Sequence, residues 1–157
     1  MTKTKTPLTI TMTFRRSLQI VLILLVALFL SHCQSADRVD SFSQPDAEQF
    51  IGVELPRDAS DVKVASESGI DRIVYLRFHL PPQLLDQLLA SLQFDTPLKP
   101  SFMPFTSEAQ PDLDWWLRNE PISFSGGSKY TEEKVFKIVV DQTDQQLYII
   151  YLRIYEL

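Results

Sequence analysis

Two strand–turn–strand patterns constrain the fold of this chain more than any other feature of its sequence. In each, alternating or continuous apolar residues are bounded by turn-forming residues such as Ser, Gly, Asp and Thr, which is typical of a β-hairpin. The first hairpin is predicted to join 61–65 to 71–80 across the turn 66–69, and the second to join 134–140 to 146–156 across the turn 141–144. Two such hairpins predict an antiparallel sheet with one face packed on a core.

One amphipathic helix is predicted between the hairpins. It begins at Pro81-Pro82, where proline costs nothing because the first N–H groups of a helix have no partner within it. The leucines that follow have the spacing of a single buried stripe: Leu84, Leu85, Leu88, Leu89 and Leu92. The predicted fold class is therefore α+β, an antiparallel sheet from two β-hairpins with this helix packed on one face.

A long Pro- and aromatic-rich connection, residues 95–131, links the helix to the second hairpin. So many large apolar side chains argue against disorder, and connections of this length in compact domains are usually functional when they are ordered. Trp115 and Trp116 are candidate partner-binding residues, because exposed Trp is enriched at binding hot spots. The alternative is that the two indoles tie the connection down onto the sheet.

The inner strands of the two hairpins repeat each other, since residues 73–79 (IVYLRFH) reappear as residues 149–155 (IIYLRIY). Side chains alternate along a strand, so one face opposite the helix is predicted to carry Tyr75, Arg77, Tyr151 and Arg153. Arg offers a planar fork of donors and Tyr a flat amphipathic ring, a combination that suits an anionic or sugar-bearing partner. The alternative is a structural ladder, in which each Arg pairs with an acid or covers a Tyr ring beneath the long connection.

The N-terminal 36 residues have the layout of a secretory signal peptide. Four Lys and Arg residues and no acid accompany an apolar run, 18–30, which is too short for a comfortable transmembrane helix. Its end, Leu30-Ser31-His32-Cys33, resembles the lipobox of bacterial lipoproteins, although His32 stands where a very small residue is usual. The resemblance implies export, lipid attachment at Cys33 and anchoring to a membrane of the cell envelope. The alternatives are cleavage after Ser35 without a lipid, and retention of the apolar run as an anchor.

These features divide the chain into a signal peptide (1–32), a polar flexible tether (33–49) and one domain (50–157). Beyond the leader, 11 basic residues face 20 acidic ones, which gives a net charge of −9. Such an acidic domain is a poor candidate for binding nucleic acid, and its contact with membranes is expected to run through the lipid.

The residues available for catalysis are few, because His79 is the only His after the leader and Cys33 the only Cys in the chain. This scarcity argues against Cys–His or Ser-His-Asp chemistry and against a zinc site, and no cofactor is expected. The favoured function is therefore a non-enzymatic binding or assembly module for an envelope protein or glycan. The alternative is a carbohydrate-directed hydrolase that uses Asp112 or Asp114 beside the Trp pair, since glycosidases act through two carboxylates.

Overall fold

The computed structural model describes residues 38–40, 42–69, 71–105 and 111–157, which form a seven-stranded antiparallel sheet and two α-helices. The elements in chain order are β1 (Arg38–Asp40), α1 (Gln44–Ile51), β2 (Ser60–Ser68), β3 (Arg72–Leu80), a 3₁₀ turn (Pro82–Leu84) that runs into α2 (Leu85–Ser91), β4 (Lys99–Pro100), β5 (Phe124–Tyr130), β6 (Lys134–Asp141) and β7 (Tyr148–Glu156). The strand order across the sheet is β1-β2-β3-β7-β6-β5-β4. The fold is thus α+β and mostly sheet. The leader, with Cys33 and the apolar run, lies outside the described residues.

The β2–β3 ladder is longer than the sequence pattern indicates. β2 extends to Ser68, so that Ser66 pairs with Val74 and Glu67 with Ile73, in a stretch that the sequence assigns to a turn. Ser66 is buried, and the Glu67 carboxylate accepts a 2.8 Å hydrogen bond from the Tyr75 hydroxyl. These contacts stabilise the polar residues Ser66 and Glu67 in the strand, and the chain turns only after Ser68.

The central strands β3 and β7 are the two strands whose sequences repeat. They pair antiparallel with Leu76 opposite Leu152, and the matching positions of the repeat fall symmetrically on either side of that pair. The flanking pairs are Tyr75 with Arg153 and Arg77 with Tyr151. The repeat therefore gives the middle of the sheet a local twofold pattern, centred on two buried leucines.

Helix α1 has well-defined ends. At its start Ser43 and Asp46 form a capping box, in which the Asp46 N–H donates to the Ser43 hydroxyl and the Asp46 carboxylate accepts from the Ser43 N–H. The Ser43 hydroxyl also donates to the Asp46 carboxylate, and this bond, with the one from the Ser43 N–H, holds the pKa of Asp46 below its ordinary value. At its end Gly52 adopts a φ of 79°, a left-handed conformation that favours glycine.

One face of the sheet, called the helix face, packs against both helices. The strands supply ten core residues to it: Val74, Leu76, Phe78 and Leu80 of β3, Phe136, Ile138 and Val140 of β6, and Ile150, Leu152 and Ile154 of β7. Ala47 and Ile51 of α1 enter this core, as do Leu88 of α2 and Leu92, the residue that follows α2. Residues 44–49, predicted as part of the tether, therefore lie in a helix that contributes to the core.

Candidate functional site

The other face of the sheet, called the aromatic face, is covered by the long connection. Its buried cluster joins side chains of the sheet to side chains of the connection: Tyr75, Val139 and Tyr151 with Phe105, Trp116 and Leu117. Trp116 is 4% exposed and lies edge-on to Tyr75 and Tyr151, with ring centroids 5.2 Å and 5.6 Å apart. Trp115 is partly buried, and its ring meets that of Trp116 at 5.9 Å.

Arg153 is an interior residue of the aromatic face. It is 2% exposed, and its guanidinium lies 5.0 Å from the centroid of the Tyr75 ring and 4.8 Å from that of Tyr155. Such cation–π contacts replace part of the hydration that a buried guanidinium loses. Burial, reinforced by the nearby charge of Arg153, lowers the pKa of Lys137, the residue directly across from it on β6.

Arg77 occupies the equivalent position on β3 but lies in an ionic environment. Its guanidinium donates to the Asp61 carboxylate over 2.6 Å and contacts Nε2 of His79 at 3.0 Å. A guanidinium can only donate, so this contact is a hydrogen bond when Nε2 of His79 is the acceptor. The hydrogen bond from Arg77 holds the pKa of Asp61 below its ordinary value.

A β-bulge brings Asp61 to this cluster. The β2–β3 register shifts between Ser60 and Lys63, and Asp61 has a φ of 47°. Asp tolerates the left-handed region better than most residues other than glycine. The bulge therefore places a carboxylate beside Arg77 and His79 at the start of β2.

The six residues predicted to bind a partner are all buried or partly buried. Four of them are buried in the aromatic face: Tyr75, Trp116, Tyr151 and Arg153. Trp115 is partly buried, and the Arg77 side chain is 16% exposed and paired with Asp61. The face predicted as an open Tyr/Arg platform is thus covered by Phe105, Trp116 and Leu117 of the connection, which was the alternative drawn from the sequence.

Asp112 and Asp114, the candidate catalytic acids, are both exposed. Asp112 lines an open cavity of about 340 Å³ together with Trp116 and Arg118, whereas Asp114 is not part of that lining. The structure therefore brings one of the two acids, Asp112, to a cavity that it shares with one of the two tryptophans, Trp116.

A groove at the β4–β5 edge of the sheet was not predicted from the sequence. It has a volume of about 300 Å³ and contains two of the exposed large apolar side chains of the domain, Phe102 (39% exposed) and Tyr130 (71% exposed). Phe94 and Pro97 complete its apolar lining, and the Lys99 ammonium lies 5.7 Å from the Phe102 ring centroid. Aromatic rings beside one cation are a lining suited to binding.

Gly126 and Gly127 also line this groove. A Cβ on Gly126 would lie 2.2 Å from the Phe102 carbonyl oxygen, and a Cβ on Gly127 would lie 2.8 Å from a methyl carbon of Leu98. The two glycines therefore let the connection pass close to β5 on both faces of the sheet. A Gly-Gly pair inside an aromatic-rich segment is the sequence signal for this close approach.

A second cavity, of about 340 Å³, lies where the two helices end near the β5–β6 turn. The two lysines that line this cavity are hydrogen-bonded to backbone carbonyls at the ends of the helices. The Lys134 ammonium donates to the Phe50 carbonyl over 2.6 Å, and the Lys129 ammonium donates to the Leu92 carbonyl over 2.9 Å. Cations at helix C-termini satisfy carbonyls that have no partner within the helix, so these lysines have a structural role.

Within the described ranges, no group of three or more His, Cys, Asp or Glu side chains is arranged to hold a metal ion. In the same ranges, neither helix is long and apolar enough to cross a membrane. Comparison with known proteins gives no match to a family model, to a curated protein or to a solved structure.

Proposed function

We propose that this chain is an exported, lipid-anchored protein of the cell envelope whose domain acts as a non-enzymatic binding module. The anchoring part is supported by the sequence alone, since the leader ends in Leu30-Ser31-His32-Cys33 and Cys33 is the only cysteine. A thioether to lipid gives a single cysteine a use in an exported protein, where an unpaired thiol is a liability. Stable anchoring then requires more than one acyl chain.

The observation that carries the binding part is the groove at the β4–β5 edge. Its lining combines exposed rings of Phe102 and Tyr130 with the ammonium of Lys99, groups that bind through contact and charge. The chain enters the sheet at β1, the strand at the opposite edge. Five inter-strand spacings of about 4.8 Å separate β1 from β5, so roughly 24 Å of sheet lies between the chain entry and the groove.

Metabolic labelling with a clickable fatty acid tests the anchor. We expect label on the wild-type chain and none on Cys33→Ser, which should be released from the membrane fraction. The intact mass of the mature chain distinguishes the alternatives, because lipoprotein processing leaves Cys33 as the first residue and ordinary cleavage leaves Ala36. His32→Ala should speed processing, since a smaller side chain then stands before the cleavage site. Equal membrane retention of wild type and Cys33→Ser would overturn lipid anchoring in favour of the apolar run.

A further inference from the structure

The outer edge of β5 is only partly paired. In an antiparallel ladder the backbone groups of successive residues point alternately to the two sides of the strand. Gly126 is hydrogen-bonded on the β4 side, opposite Lys99, and the Phe124 carbonyl accepts from Ser101 on that same side. The N–H and C=O groups of Ser128 and Tyr130 must therefore also point outward. Among the described residues, the β4 ladder ends before either of them.

Proline explains why β4 ends there. If the register continued beyond Lys99, Pro97 would lie opposite Ser128, and Pro97 has no N–H to give to the Ser128 carbonyl. The groove opens at this point, with Pro97 on one side and the outer edge of β5 on the other. It thus presents outward-facing backbone donors and acceptors next to an apolar surface.

Such a combination fits an extended peptide better than a compact ligand. A peptide strand can pair with the backbone of Ser128 and Tyr130 while every second side chain points toward the groove. The rings of Phe94, Phe102 and Tyr130 then offer an apolar side chain a place to pack. Edge strands with free backbone groups are sites where another strand can be added.

The charge around the groove indicates the character of that peptide. Among the described residues that line the groove, Lys99 is the only charged one. Positive charge here contrasts with the net charge of −9 of the chain beyond the leader. The leader itself carries four basic residues and no acid, so it is not complementary to the groove.

We propose that the open edge of β5, Ser128–Tyr130, binds an extended acidic peptide segment by strand addition, with one apolar side chain in the adjacent groove. This proposal rests on the proposed binding function of the domain and is independent of the lipid at Cys33. It assigns recognition to backbone hydrogen bonds, to the groove rings and to Lys99.

The full chain in detergent, titrated against a fluorescein-labelled peptide of sequence Glu-Val-Phe-Val-Glu, tests the proposal by fluorescence anisotropy. Ser128→Pro removes the outward N–H of residue 128 but leaves the β6 ladder intact, because that N–H does not point toward β6. We expect at least tenfold weaker binding for Ser128→Pro, and binding within twofold of wild type for the matched Ser128→Ala. Lys99→Gln should weaken binding about threefold and reduce its salt dependence.

The same peptide methylated on every backbone nitrogen gives a test that needs no variant, because it cannot donate to β5. It should fail to bind the wild-type chain. Binding of the methylated peptide, or equal binding by Ser128→Pro and Ser128→Ala, would overturn strand addition. Concentration-dependent dimerisation that Ser128→Pro abolishes, with no peptide binding, would overturn it in favour of a second copy as the occupant. Absence of lipid on Cys33 together with peptide binding would refute the anchor alone.

Discussion

Trp116→Ala should be among the most destabilising single substitutions on the aromatic face. The indole is 4% exposed and contacts the rings of Tyr75, Phe105 and Tyr151, with centroid distances between 5.2 Å and 5.6 Å. Truncating a buried Trp to Ala costs about 3–5 kcal/mol, because apolar area is lost and a cavity remains. A domain of ordinary stability, about 5–15 kcal/mol, would lose a large share of it.

Urea denaturation of the variants, followed by far-UV circular dichroism, measures the loss. Trp115→Ala is the matched control, since Trp115 is only partly buried, and it should cost about 1–2 kcal/mol. Trp116→Phe should cost only about 1 kcal/mol, because it keeps a ring and removes an indole N–H that has no acceptor among the described residues.

Fluorescence gives an independent readout because the chain contains only two tryptophans. With Trp115 replaced by Phe, emission from Trp116 should be blue-shifted and poorly quenched by iodide. With Trp116 replaced instead, emission from Trp115 should be more readily quenched. Equal stability losses for the two alanine variants, or equal quenching, would refute the assignment of Trp116 to the interior.

Two further substitutions test the packing on each side of the sheet. Leu88→Asp should lower the free energy of unfolding by at least about 4 kcal/mol in urea denaturation, because a charge would enter the helix-face core. Asp86→Ala, on the exposed side of α2, should leave it nearly unchanged. Similar losses for the two variants would mean that the buried side of α2 is misassigned. Gly126→Ala should lower the free energy of unfolding by about 1–3 kcal/mol in the same assay, since its Cβ would lie 2.2 Å from the Phe102 carbonyl oxygen. Gly69→Ala, with no neighbour closer than 3.9 Å, should change it by no more than about 0.5 kcal/mol. An unchanged urea midpoint for Gly126→Ala would contradict the close approach of the connection to β5.

Apolar alternation makes the central strands visible in the sequence, because β3, β6 and β7 contribute alternate residues to a continuous core. β5 has no such signal, since Gly126, Gly127 and Ser128 are poor strand formers and the strand is held by β6 and by the connection. Tertiary contacts decide the conformation there, so local propensity could not predict it.

Helix α1 differs from its prediction as part of the tether, although the signals of a helix are present in its sequence. Ser43 and Asp46 have the spacing of a capping box, Pro45 lies in the first turn and Gly52 follows the last residue. The polar composition of the segment hides these signals, because only a few side chains, among them Ala47 and Ile51, need to reach the core. Capping residues are thus a better indicator of such a short helix than its mean hydropathy.

The predicted binding residues show how far a strand pattern can be interpreted. The alternation of side chains correctly places Tyr75 and Arg77 on the side of β3 opposite the helix face, because a strand has only two sides. Whether a side is open depends on a segment distant in sequence. Here Phe105, Trp116 and Leu117 cover it, and the spacing within β3 or β7 carries no information about them.

The repeated Tyr and Arg residues nevertheless have different environments, and the neighbouring strands explain why. Arg77 lies opposite Lys63 of β2, whose bulge supplies Asp61 as an ion-pair partner. Arg153 lies opposite Lys137 of β6 and is buried between tyrosine rings. The same strand sequence therefore gives two different arginine environments. Arg77 forms an ion pair with Asp61 of β2, whereas Arg153 forms cation–π contacts with two tyrosine rings in the interior. Neither copy leaves a free guanidinium surface for a partner. The binding site that we propose is therefore the incompletely paired edge of β5, where backbone groups rather than a repeated side-chain motif face outward.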